Sequence, residues 1–363
     1  MEAGRKFLLS TFKSVFEPAL QKQAPEFLQE MTGIAEGLSA AGSVVPREDI
    51  LIGNCIPEIT ELQFYLPESD TGNTSGAAPP KGCSDSIVWG KATPDGRLIH
   101  GSNYDYSTFN VLHKAIGVTA VKPESGNAFM AQCLAGTVGH YRGMNVEGIT
   151  AGELTSDSAD RDIQSNPRIP HAMHMRKIIQ YASSTRDAIS LMRQHGGTTG
   201  YNHAVGDAKV PTAVDIEAAC NQMAVIYPQQ EFDALWSTNQ FVAYPGFSGY
   251  AGDNLAKYQM RFWEIPWEQA DTVEKWRNAV RVRSEKHTFS WQRYEKIKAF
   301  IEENYGHMDV EHMIDLLGQY PLCRKPDSKI QLSAECEQLY GLSGPIFDQR
   351  LASVFSVVFD TGN

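Results

Sequence analysis

The chain reads as a layered α+β domain, not as a doubly wound parallel sheet. Three observations predict this. Helical spacing dominates roughly the first 66 residues. Strand-like segments take over after residue 83, and a helical block returns at 290–318 before one last strand. Elements grouped in blocks, rather than strictly alternating, belong to α+β layers. At 363 residues there is room for one large domain or two ordinary ones, and no internal repeat divides it.

The elements follow in order. Residues 5–31 carry Phe7, Leu8, Phe12, Val15, Phe16, Leu20, Phe27, Leu28 and Met31 at three-to-four spacing, so they predict helix. Pro18 and Pro25 break it into pieces, because proline removes a helical N–H. A second short helix is expected over 31–38, ending near Gly37. A third is expected over 47–54, with Glu48 and Asp49 in its first turn. Residues 68–81 are rich in Gly, Pro, Ser and Thr and read as an exposed loop. Strands are expected at 85–91 and 97–103, joined by the turn Thr93-Pro94-Asp95-Gly96, then at 116–122, 128–134 and 148–153. Residues 169–183 and 185–195 predict helices, with a cap at Ser183-Ser184-Thr185. Strands return at 201–207, 212–219 and 222–226, and the last lies at 352–359.

Composition removes several function classes. Apolar content of 42 % and charged content of 21 % suit a globular core. A net charge of −11, without a basic run, argues against nucleic acid as a partner. No apolar stretch is long enough to span a bilayer. The start, Met1-Glu2-Ala3-Gly4-Arg5-Lys6, does not read as a secretory signal. The compartment stays open: secreted, lysosome-like or periplasm-like after loss of a signal, or cytoplasmic. Six cysteines are present without a C-x-x-C pair, which disfavours a zinc or thioredoxin-type site. Cys323 and Cys336 flank a polar loop and read equally as a disulfide or as free thiols.

Gly82-Cys83-Ser84 stands where the loop meets the first strand. If the Gly82–Cys83 bond is cut, Cys83 carries a nucleophilic thiol and a basic α-amine on one residue. The returning strand ends in Asn103-Tyr104-Asp105, and hairpin pairing brings that end back towards Cys83. Asp105 there either orients the amine or caps a local turn. Asn202, in Gly200-Tyr201-Asn202-His203, reads as an oxyanion donor or as a turn former at a strand start.

Taken in order, these pieces resemble the autoproteolytic N-terminal-nucleophile hydrolases, in the group that contains fungal isopenicillin-N acyltransferase. Met31-Thr32-Gly33-Ile34-Ala35-Glu36-Gly37, the run Glu48-Asp49-Ile50-Leu51-Ile52-Gly53-Asn54 and Glu58 resemble its pro-segment. Gly82-Cys83-Ser84 resembles its cleavage site. Gly101-Ser102-Asn103-Tyr104-Asp105-Tyr106 resembles its hairpin end, and Gly143-Met144-Asn145-Val146-Glu147-Gly148 its turn. Asn202 matches its oxyanion asparagine, with Asp207 and Glu217 in the familiar context, and Ser290-Trp291-Gln292-Arg293 resembles a late Ser-x-x-Arg element.

The resemblance implies a four-layer αββα sandwich of two antiparallel sheets between helical layers. It implies self-cleavage into a small α-chain, 1–82, and a catalytic β-chain, 83–363, forming one composite domain and a heterodimer, with a possible homo-oligomer. The activity implied is hydrolysis or transfer of the acyl group of a linear amide or thioester, with no cofactor and no metal. Cys83, Asp105, Asn202 and Arg293 would be catalytic, and Ser84, Asn103, Tyr104, Tyr201 and Thr155 are expected to bind substrate. A lipid amidase, phospholipase-B-like or ceramidase-like hydrolase is the alternative on this fold, and a non-catalytic binding relative the alternative of another class. In bile-salt hydrolases, penicillin V acylases and acid ceramidase an arginine usually stands three residues before the aspartate. Here that position is Ser102, which favours the acyltransferase-like branch and leaves open which cation, if any, sits beside Cys83.

Other side chains have plainer readings. His171 and His174 are three apart, as metal ligands can be, but spacing supplies no acidic partner, so a solvated helix end is expected. His203 is expected to be structural. Arg293 otherwise reads as a surface arginine on a helix. Trp236, Phe241, Tyr244, Phe247 and Tyr250, with glycines between them, read as a substrate-covering loop or a packed excursion. Residues 258–292, with Trp263, Trp267 and Trp276, read as an insertion over the sandwich.

Overall fold

The computed structural model describes residues 2–55, 58, 82–107, 112–163, 165–247, 249–287, 290–319, 322 and 351–362. The loop read at 68–81, and Cys323 and Cys336, lie outside the described residues.

Two antiparallel sheets face each other. The smaller has four strands in the order β10-β1-β2-β12: Ala234–Ser237, Ser84–Gly90, Gly96–Ser107 and Leu351–Asp360. The larger has eight, in the order β11-β9-β8-β7-β6-β5-β4-β3. Its strands are β3 Ile116–Val121, β4 Phe129–Leu134, β5 Arg142–Asn145, β6 Ile149–Thr155, β7 Tyr201–Asp207, β8 Thr212–Ala218, β9 Met223–Ile226 and β11 Tyr250–Gly252. Strand alternation sorts the side chains into layers. Ile87, Trp89, Leu98, Ala204, Ala213 and Leu235 fill the space between the sheets. Val88, Ile99, Ala234 and Trp236 face helices Ser290–Glu303 and Val310–Gly318. Ala151, Val205, Val214 and Ile216 face helices His171–Tyr181 and Thr185–His195. The result is the expected αββα sandwich.

The amino-terminal helices dock on this frame. Phe12, Phe16, Leu20, Phe27 and Met31 pack with Leu51 and Ile52 and reach Val138, Ile163, Ile169 and Met173. Glu30 pairs with Arg176 at 3.1 Å and Glu26 with Lys177 at 2.8 Å. The chain breaks at Ala24 (φ −153°), just before Pro25, as expected, but not at Pro18, which sits in the first turn of Glu17–Gln23 where no helical N–H is needed. The short helix expected at 31–38 is instead part of one helix, Pro25–Ala40, since no proline interrupts it after Pro25.

Other boundaries differ too. The block at 290–318 is two helices, because Asp309 accepts from the His312 N–H at 2.9 Å and caps the second. The strands β5, β10 and β11 span only four, four and three residues, too few for a period-two pattern to register. Asn145-Val146-Glu147-Gly148 is a turn, as expected. Asn145 Oδ1 accepts from the Glu147 and Ile149 N–H groups at 3.0 Å, and Gly148 takes φ +74°. Phe241, Tyr244 and Trp276 are buried in one cluster with Leu255, Met260 and Val280, so the aromatic segment is packed core in this region.

Candidate active site

The site is built around the β1–β2 hairpin. Ser84 pairs with Asn103, which sets Cys83 opposite Tyr104 and Gly82 opposite Asp105. The Gly82 N–H donates to the Asp105 carbonyl at 3.5 Å, and the Cys83 thiol to the same oxygen at 3.8 Å. A Cβ on Gly82 would sit 3.1 Å from Asp105 Oδ2, so the carboxylate lies against the Gly82–Cys83 junction. Cys83 is buried with Tyr104, Tyr141, Leu154 and Ala172, an apolar wall between the two sheets. Burial pushes the thiol up. The Arg142 charge is the strongest opposing influence; the Asp105 carboxylate adds to the rise, while a hydrogen bond to the Asp105 carbonyl and the Arg293 charge oppose it.

Arg293 is fully buried, not a surface residue. Its Nη1 donates to the Cys83 carbonyl and, at 2.8 Å, to Ser84 Oγ; its Nη2 donates to Asn239 Oδ1 at 2.6 Å. Ser290, one turn earlier, hydrogen-bonds Gln240 Oε1 and Thr238 Oγ1. Asn202 joins the same network. Its Nδ2 donates to the Thr238 and Gln240 carbonyls at 2.8 and 2.9 Å, and its Oδ1 accepts from Ser156 Oγ at 3.0 Å. Both amide hydrogens of Asn202, the expected oxyanion donor, are therefore bonded to the backbone of residues 238 and 240. Asn239, between the two anchored carbonyls, is what holds Arg293, and Arg293 holds Cys83.

The remaining expected residues divide. Tyr104 stands beside Cys83, stacked on Tyr141 with ring centroids 5.1 Å apart. Ser84 is a ligand of Arg293. Asn103 faces the helical layer and donates to the Leu317 and Leu322 carbonyls at 3.0 Å, so its side chain serves packing. Tyr201 and Thr155 are directly paired on β7 and β6. Tyr201 stacks on His171 at 3.3 Å, on the face of the sheet opposite Asn202. These two are not brought to Cys83. Asp207 caps its own turn, accepting from the Lys209 N–H at 3.0 Å, and Glu217 accepts from the Val242 and Ala243 N–H groups.

A different arginine, Arg142, reaches Ser102 from the facing sheet. Its Nε donates to Ser102 Oγ, and its Nη2 donates to the Asn103 carbonyl at 2.9 Å and the Glu153 carbonyl at 3.1 Å. Its guanidinium lies 5.1 Å from the Tyr104 ring centroid. Sequence reading missed it. The available signal was an arginine directly ahead of Gly143-Met144-Asn145.

His171 and His174 correct the expectation of a solvated helix end: they are 0 % and 2 % exposed. Glu153, His171 and His203 offer ligand atoms that all lie within 4.8 Å of one another. The His171 ring tells against a metal at this cluster. His171 Nε2 accepts from the Thr198 and Thr199 N–H groups at 3.2 and 3.3 Å. The neutral ring then carries its proton on Nδ1 and has no second lone pair to offer. His203 donates Nδ1–H to the Ile216 carbonyl at 3.0 Å, and burial holds its pKa down at about 4.

The fold and this arrangement define an N-terminal-nucleophile hydrolase sandwich with a cysteine heading its first strand. Residues 92–331 match the family model "Acyl-coenzyme A:6-aminopenicillanic acid acyl-transferase", and the chain belongs to that family. An uncharacterized protein of Archaeoglobus fulgidus is 26 % identical over 216 residues, covering 57 % of this chain and 35 % of that protein. The chain thus spans about a third of the length of that curated relative. Among solved structures, the Caenorhabditis elegans ortholog of N-acylethanolamine-hydrolyzing acid amidase superposes with TM-score 0.45 at 14 % identity, over 66 % of this chain and 87 % of that one. Penicillin V acylase from Agrobacterium tumefaciens gives 0.43 at 11 % identity, over 77 % and 80 %. A mutant conjugated bile acid hydrolase from Clostridium perfringens gives 0.43 at 11 % identity, over 77 % and 86 %.

Proposed function

We propose that the protein is a self-processing cysteine enzyme that hydrolyses or transfers the acyl group of a linear amide. The observation that carries this is the Asp105 carboxylate, set against the Gly82–Cys83 junction beside a thiol in an apolar inter-sheet wall. In the first step the Cys83 sulfur attacks the Gly82 carbonyl and the peptide nitrogen leaves with a proton. Water then hydrolyses the thioester, giving a Gly82 carboxylate and a free Cys83 amine. Residues 1–82 stay docked through the Phe12–Met31 packing and the Glu26 and Glu30 ion pairs, making a heterodimer of 1–82 and 83–363.

In turnover the new amine is the base. Its ordinary pKa of about 8 puts it near neutrality, and Asp105 orients it. It takes the thiol proton as sulfur attacks the substrate carbonyl, and it returns that proton to the departing amine. Water or a second amine resolves the acyl-enzyme. Tyr104, Tyr141 and Leu154 beside the thiol favour an apolar acyl group. Arg293 fixes the Cys83 carbonyl, and Asn202 acts through residues 238–240.

Tryptic mass spectrometry tests the reading, because Lys81 precedes the junction. Processed protein yields a peptide beginning at Cys83, and unprocessed protein the same peptide longer by one glycine. The expected result is the shorter peptide in wild type and only the longer in Cys83→Ala, with activity lost in the variant. A wild-type chain that stays whole and inactive against simple acyl-amides, β-lactams, β-alanyl amines and N-acylethanolamines would overturn it.

A further inference from the structure

Arg142 raises a question of charge balance. It begins β5 in the eight-stranded sheet, yet its side chain crosses to the β2 strand of the four-stranded one. It is 0 % exposed. Its Nε and Nη2 are satisfied by Ser102 Oγ and two backbone carbonyls, all neutral acceptors. Its Nη1 is buried without a hydrogen-bond partner among the described residues. Among those residues no carboxylate forms an ion pair with it. A buried guanidinium held only by neutral groups is costly, and an anion beside it recovers much of that cost.

The neighbouring group that becomes an anion when it reacts is the Cys83 thiol. Tyr104 lies under the guanidinium and packs in the same cluster as Cys83. We propose that Arg142 is the counter-ion of the Cys83 thiolate, delivered into the inter-sheet space from the opposite sheet, with Ser102 as its docking point. The inference rests on Cys83 being the nucleophile. It adds that the thiolate needs a cation from β5 and that Arg293, tied to Cys83 O, Ser84 and Asn239, does not take this part. The order of influences on the thiol, with Arg142 ahead of Arg293, agrees.

The geometry makes the position exchangeable. Ser102 Oγ touches Arg142 Nε, so the two side chains share one volume. An arginine placed at 102 in a chain with serine at 142 would bring the same charge to the same place from β2.

The test is the pH dependence of Cys83 alkylation by iodoacetamide, read on the tryptic peptides that begin at Gly82 or Cys83. Processed and unprocessed chains are thereby scored separately. In Arg142→Gln the alkylation midpoint should rise by about one pH unit, or roughly tenfold slower reaction below it. Arg142→Lys keeps the charge but not the three-acceptor fork, so it should fall between wild type and Arg142→Gln on the same scale. The exchange Arg142→Ser with Ser102→Arg should react faster than Arg142→Ser alone. Thermal melting identifies the variants that fold, and the lysine and exchange variants carry the test if the glutamine one does not. An Arg142→Gln profile overlying wild type overturns the proposal. So does an Arg142→Lys as slow as Arg142→Gln, or an exchange variant no faster than Arg142→Ser. Failure of Cys83 itself as nucleophile shows separately, as absent processing in wild type.

Discussion

Replacing Arg293 with alanine tests how rigidly the nucleophile is held. The side chain is fully buried, and its two Nη groups donate to the Cys83 carbonyl, Ser84 Oγ and Asn239 Oδ1. A hydrogen bond to a charged group contributes about 1.5–3 kcal/mol net, and such bonds in one network do not add. Truncation also strands buried acceptors, which brings the expected loss to about 3–5 kcal/mol. Urea unfolding followed by tryptophan fluorescence measures it. Asn239→Ala alone and with Arg293→Ala closes a cycle, with an expected coupling of about 1–3 kcal/mol. Arg293→Lys should recover only part, since an ammonium cannot reach three acceptors in a fork. A loss below about 1 kcal/mol in Arg293→Ala, or a coupling near zero, would refute the view that this arginine holds the Cys83 carbonyl through Asn239.

Two further outcomes are expected. Asn202→Ala should cost about 1–3 kcal/mol by releasing the Thr238 and Gln240 carbonyls. It should also shrink the Arg293–Asn239 coupling; an unchanged coupling with a large fall in kcat would instead restore Asn202 as a direct oxyanion donor. Asp215 is buried between the sheets, and burial followed by the Asp85 charge pushes its pKa up to about 8. A carboxyl that keeps its proton in the fold but loses it near 3.8 when unfolded makes stability fall as pH rises between those values. Wild type should therefore lose melting temperature from pH 6 to pH 9 more steeply than Asp215→Asn, and parallel melting curves would remove Asp215 as the cause.

What was legible in the sequence was local. The turn Thr93-Pro94-Asp95-Gly96 predicts the hairpin and so brings residues 103–105 back towards Cys83, but a bulge between Val88 and Gly90 shifts the register by one, and only the fold sets Cys83 opposite Tyr104 and Gly82 opposite Asp105. The misplacements have two physical origins. Tyr201 and Thr155 fall on the wrong face because a strand reverses its side chains at every residue, so neighbours of a site residue point away from it. His171 and His174 were misread because helical spacing marks a polar face without telling water from a buried partner; here the helix packs on β6 and β7, which supply Glu153 and His203.

Arg142 was hidden for another reason. Its contact with Ser102 joins two sheets across 40 residues, and no periodicity encodes a meeting between layers. The departure at Ser102 nevertheless constrained the answer. The short Ser102 hydroxyl leaves room that the long Arg142 side chain fills, and it accepts from Arg142 Nε. The same reasoning runs through Asn202 and Arg293. Neither is placed by its own strand or helix alone; each is fixed by what it bonds to across the gap, which is why motif order located them and only the packed layers assigned their work.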